Sequence, residues 1–129
     1  QDLERIGDLA KGNAKKMLPL PLDLSQDLLK SLKRLGSTVE NQLNKSLDAY
    51  IKKSKEAAIE VIGLDEGVNN LAYLAIKEIL AFLSKDAKNI EFATNLLFVA
   101  KNLERAGDHI RRISENIYYL VEGDYYKKP

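Results

Sequence analysis

The sequence predicts an all-α protein, an up-and-down bundle of three long helices preceded by one shorter helix. Three observations predict it. Apolar residues recur at steps of three and four along most of the chain, and no useful length alternates with period two. Pro19 and Pro21, which no helix interior tolerates well, fall between two periodic segments rather than inside one.

The leading helix is expected over residues 2–17, where Leu3, Ile6, Ala10, Ala14 and Met17 share a face. Leu18-Pro19-Leu20-Pro21 ends it. Asp23, followed three residues later by Gln26, has the spacing of a capping box. Leu28, Leu32, Leu35, Val39, Leu43, Leu47 and Tyr50 then hold helical spacing, and a break is expected near residues 52–54.

A third periodic segment carries Ala58, Val61, Leu64, Val68, Leu71, Ala75, Ile79 and Phe82 on one side. Gly63 and Gly67 lie within it, so a bend or a close helix contact is expected there. Ser84-Lys85-Asp86 punctuates the pattern. The last helix should run from about Asn89 to about Val121, with Ala93, Leu96, Ala100, Leu103, Gly107, Ile110, Ile117 and Leu120 inward and Gly123 as its stop. Tyr118 and Tyr119 should pack along the end of that helix, and residues 124–129 form a solvated tail.

A chain of 129 residues suits one domain rather than two cores. With 20 Lys+Arg against 19 Asp+Glu it raises no field for nucleic acid or an acidic membrane. The absence of Cys removes disulfides and thiolate metal sites and agrees with a reducing compartment. A single His, His109, cannot build an imidazole cluster. No apolar run approaches the roughly 20 residues of a membrane span, so a transmembrane chain is not expected. Gln1 stands in mid-pattern where Met would open a complete chain, which suggests a fragment or a processed protein.

One octet occurs twice. Asp2-Leu3-Glu4-Arg5-Ile6-Gly7-Asp8-Leu9 and Asn102-Leu103-Glu104-Arg105-Ala106-Gly107-Asp108-His109 share five of six positions from Leu to Asp, at an offset of 100 residues. In each copy a Glu and an Asp lie four apart, on one helix face, where they repel. One reading is a solvated charged face, with Lys101 pairing Glu104 and Arg111 or Arg112 pairing Asp108. The other is a site for a hard cation, which would remove the repulsion. Gly7 and Gly107, each one step before the Asp, would let a neighbouring helix approach closely. The Glu-x-x-His spacing of di-iron bundles is absent, and no Ser-His-Asp set or nucleotide loop can be assembled, so no catalytic residue is named and an enzyme is not expected.

Leu103-Glu104-Arg105-Ala106-Gly107-Asp108-His109, continued by Ile113-Ser114-Glu115-Asn116-Ile117-Tyr118-Tyr119-Leu120-Val121-Glu122-Gly123, resembles the PhoU family of phosphate-uptake regulators. Residues 3–17 resemble the equivalent stretch of that family's first repeat. The family fold is two three-helix repeats, so the resemblance makes residues 22–123 a complete repeat and residues 1–17 the tail of a truncated one. It implies metal ligands at Glu4, Asp8, Asp65, Glu104 and Asp108, for iron above all or for Zn, Mn or Mg. The opposing motif runs Asp65-Glu66-Gly67-Val68-Asn69, and Asn69, where the family usually has Asp, lowers the local negative charge.

The resemblance further implies a cytoplasmic negative regulator of phosphate-starvation signalling. Its partners would be the ATPase subunit of a phosphate ABC transporter and a sensor histidine kinase. The leading helix, lacking the rest of its repeat, is expected to pack on the complete repeat or on a second chain, giving a homodimer. Two other classes compete: a carboxylate-based metal enzyme or store, and a purely structural helical oligomerisation module.

Overall fold

Helix α1 spans Gln26–Lys52, α2 spans Lys55–Lys85 and α3 spans Ile90–Glu122 in the computed structural model, which describes residues 26–85 and 90–127. The expected leading helix and the Asp23 cap lie outside the described residues. All regular structure among the described residues is helical. Directions follow from cross-helix contacts. Lys45 pairs with Glu60 at 2.8 Å and Ser31 hydrogen-bonds Glu78, so numbers fall on α1 as they rise on α2, an antiparallel pair. Lys55 pairs with Glu122 at 2.9 Å, which sets α2 antiparallel to α3, while Ser46 facing Ser114 makes α1 parallel to α3. The order is up, down, up, as the short connections require.

The turn after α1 has a physical cause that hydrophobic spacing does not carry. Lys53 adopts φ 52°, its N–H donates to the Tyr50 carbonyl at 3.2 Å, and the Ser54 N–H reaches the Ala49 carbonyl at 3.1 Å. This is a Schellman closure with lysine in the position glycine usually takes. Ser54 then caps α2, its Oγ accepting from the Ala57 N–H at 3.1 Å. At the other end of the chain Gly123, φ 78°, donates to the Tyr119 carbonyl at 2.8 Å and stops α3 where the sequence placed the stop.

The core is a seam with strict three-four alternation. On α2 it runs through Ala58, Val61, Asp65, Val68, Ala72, Ala75 and Ile79, and on α1 through Leu32, Leu35, Val39, Gln42, Ser46 and Ala49, all buried. This corrects the expected faces. Leu47 and Tyr50 are 40% and 63% exposed, Leu43, Leu64 and Leu71 are only half-buried, and Leu120 is 74% exposed. The apolar reading followed the largest side chains. The packed seam instead keeps a period of 3.5 and accepts polar residues on it. Phe82 and Phe92 meet edge to face at 5.9 Å over the distal end of the core.

Gly63 and Gly67 also depart from expectation, since a Cβ at either would meet open space and α2 runs unbroken through both. The tail is not simply solvated. Tyr126 packs on Tyr118 at 5.3 Å and Tyr125 stacks on Tyr119 at 4.7 Å, so the chain folds back along α3 after Gly123. No helix among the described residues is long and apolar enough to cross a membrane.

Candidate functional site

The polar part of the seam organises the site. Gly107 is buried on α3, and a Cβ there would lie 2.9 Å from Val68 Cγ1, 3.4 Å from Asp65 Oδ1 and 3.4 Å from Gln42 Oε1. The missing side chain therefore lets α2 and α1 close on α3, as expected of a small residue before the Asp. Into that space fall Gln42, fully buried, and Asp65, 4% exposed. Neither polar atom of the Gln42 side chain, nor Asp65 Oδ1, has a hydrogen-bond partner, an arrangement that costs stability. One turn past Gln42 on α1 and two turns past Gly107 on α3, Ser114 Oγ donates to the Ile110 carbonyl at 3.1 Å, so Ser46 must donate to Ser114 Oγ across 3.1 Å.

Asp65 faces two ways. Oδ1 points into the bundle toward Gly107 and Gln42, while Oδ2 lies 3.7 Å from Arg111 Nη1. Arg111 Nε lies 3.2 Å from Glu115 Oε1. Burial pushes the Asp65 carboxyl above its ordinary value. Arg111 opposes that, the charge of Asp108 adds to it, and Gln42 and Asn69 oppose it more weakly. A cleft of about 470 Å³, half open to solvent, borders this pair and is lined by Ile62, Gly63, Asp65, Glu66, Asn69, Arg111, Glu115 and Tyr126.

Of the ligands the resemblance implies, Asp65 is buried on α2 and Asp108 half-buried on α3, and the Asp108 charge helps to raise the Asp65 pKa. Glu104, one turn away on the Asp108 face, pairs with Lys101 at 3.1 Å, as the solvated-face reading had it. Arg111 serves Asp65 and Glu115, where the sequence had suggested Asp108. Arg112 Nη1 meets His109 Nδ1 at 3.1 Å, and because a guanidinium only donates, Nδ1 accepts and the ring proton sits on Nε2. Glu4 and Asp8 lie outside the described residues.

Among the described residues no three His, Asp or Glu gather in a way that could hold a metal ion. Asp65 Oδ1 is a buried oxygen without a hydrogen-bond partner, and it is turned into the bundle beside Gly107. Sequence reasoning missed Gln42, and extending the alternation 32, 35, 39 to 42, 46, 49 would have found it.

The family model described as PhoU domain matches residues 32–117. A phosphate-specific transport system accessory protein PhoU homolog from Rhizobium meliloti is 37% identical over 123 residues, 95% of this chain and 52% of that protein. Its namesake from Caulobacter vibrioides strain NA1000 / CB15N is 40% identical over 123 residues, 95% of this chain and 54% of that protein. The chain thus spans about half the length of these relatives. The crystal structure of the phosphate transport system regulatory protein PhoU from Streptococcus pneumoniae superposes with a TM-score of 0.86 at 32% identity, covering 98% of this chain and 60% of that one. The match over most of three helices places the chain in the PhoU family.

Proposed function

We propose that this chain is the regulatory unit of a phosphate-uptake accessory protein, acting by protein binding rather than by catalysis. The observation that carries this is the PhoU match over residues 32–117, together with relatives named as accessory proteins of the phosphate-specific transport system. The geometry is compatible with it. The recessed Asp65–Arg111 cleft offers charge for recognition, while the buried Ser46 and Ser114 hydroxyls are paired with each other and with backbone rather than with a base.

The partners are the ATPase subunit of a phosphate ABC transporter and a sensor histidine kinase, and the compartment is the cytoplasm. By binding one conformation of a partner better than another, the bundle would hold starvation signalling off when phosphate is plentiful. A pull-down of each partner with the chain, with and without the Glu104/Asp108 carboxylates, tests this. Retention of one partner that depends on the pair supports it, and indifference to the pair supports a purely structural module.

A metal ion belongs to the same proposal. Asp65, Glu104 and Asp108, with Glu4 and Asp8 from the leading segment, would hold iron or another cation such as Zn, Mn or Mg, whose contribution is to neutralise the acidic face and fix its shape. Elemental analysis of chain purified without chelator tests it, and redox assays on the same sample test the enzyme-or-store alternative. Self-association through residues 2–17 is proposed as well, with sedimentation as its test.

A further inference from the structure

We propose that residues 123–126 form a hinged strap, and that Tyr126 on it closes one side of the Asp65–Arg111 cleft as an autoinhibitory contact. The strap has a fixed base. Glu122, the last residue of α3, is tied to Lys55 of α2 at 2.9 Å, and the Gly123 N–H closes the helix on the Tyr119 carbonyl, so the chain changes direction at Gly123 itself, φ 78°. Beyond it the chain runs back along α3, Tyr125 stacking on Tyr119 with centroids 4.7 Å apart and Tyr126 meeting Tyr118 edge to face at 5.3 Å.

The strap is held far less firmly than the helices beneath it. Among the described residues the hydrogen bond of residues 124–126 is local, from the Tyr125 N–H to Asp124 Oδ1 at 2.8 Å, and the outer ring pair is open to water, with Tyr125 72% and Tyr119 42% exposed. Docking therefore rests on two ring contacts, and a segment held this way opens without unfolding the bundle. Arg111, Glu115, Tyr118 and Glu122 follow one another at steps of four and three on α3, so Tyr126 seated on Tyr118 lies along the rim that carries Arg111, and it lines the cleft beside Arg111 and Glu115. Opened, the strap uncovers the Arg111 guanidinium; docked, it makes a partner that reaches into the cleft displace Tyr126 first. What the strap regulates rests on the recognition role proposed above, whereas its opening is measured without a partner, so either can fail alone.

The test treats the full chain, Tyr126→Ala, Tyr126→Phe and Tyr118→Ala with phenylglyoxal and reads modification of Arg111 by mass spectrometry against Arg34, an exposed arginine of α1 off the cleft. Tyr126→Ala should raise the ratio of Arg111 to Arg34 modification about two- to threefold, the ceiling set by a wild-type side chain already 36% exposed. Tyr126→Phe, which keeps the ring, should match the wild type. Tyr118→Ala, which leaves Tyr126 without its seat, should match Tyr126→Ala at unchanged helical content by circular dichroism. An unchanged ratio in Tyr126→Ala overturns the proposal, and so does a rise in Tyr126→Phe equal to that in Tyr126→Ala. Should Tyr118→Ala lose helix, chymotrypsin digestion of the wild type takes its place: a cut after Tyr126 that precedes any cut within the helices supports the hinged opening, and one that comes no earlier overturns it.

Discussion

Gly107 and Asp65 share one small volume: a Cβ on residue 107 would stand 3.4 Å from Asp65 Oδ1 and 2.9 Å from Val68 Cγ1. The buried carboxylate is there because α3 carries no side chain at that point. A helix-breaking residue in mid-helix is thus what allows a functional group into the seam, and the site and the packing cannot be changed independently.

Gly107→Ala should therefore destabilise although alanine is the better helix former. The propensity gain is about 1 kcal/mol. Overpacking against a stiff β-branched neighbour costs about 1–3 kcal/mol, leaving a net loss of about 1 kcal/mol. Gly63→Ala and Gly67→Ala, with open space at both positions, should each add about 0.5–1 kcal/mol. Urea unfolding of the three variants checks the opposite signs, and a shared sign would refute the packing explanation.

The helices were legible in the sequence because long amphipathic runs and their stops obey simple spacing. The break at residues 52–54 and the stop at Gly123 fall where they were read. The seam itself was not. Ranking by hydropathy chose Leu64 over Asp65 and Leu43 over Gln42, whereas close approach at Gly107 decides which residues face inward. The partner of Arg111 could not be read either, since it depends on the rotation of α2 against α3 rather than on spacing along α3.

Replacing Lys53 by glycine should stabilise the chain. Lysine at φ 52° carries a left-handed penalty of roughly 1–2 kcal/mol, offset by roughly 0.5–1 kcal/mol of extra unfolded-state freedom in glycine. A net gain of about 0.5–1 kcal/mol is expected from the same denaturation experiment. No gain would mean that the Schellman closure does not form in solution.

Gln42→Leu should be neutral or stabilising by up to about 2 kcal/mol, because the amide is fully buried and unpartnered. Urea unfolding of both proteins reads the difference. A clear loss of stability would instead show that the amide is hydrogen-bonded in solution.

The pH dependence of Asp65 has a defined sign. Its folded pKa lies above the ordinary 3.8, so the folded state binds more protons between 3.8 and the raised value, and this group's contribution falls as pH rises through that window. Asp65→Asn removes the term, so its stability relative to wild type should grow from pH 4 to pH 7. A relative stability that declines over that range would mean that Arg111 outweighs burial.

The central claim is that the acidic turn of α3 serves recognition. Titration calorimetry of the proposed partners, the ATPase subunit of a phosphate transporter or the cytoplasmic part of a sensor kinase, with wild type and with Glu104→Gln/Asp108→Asn measures it most directly. The account predicts binding by the wild type that weakens on the order of tenfold or more in the variant at unchanged helical content. Equal affinity of the two chains for the partner that binds would contradict it.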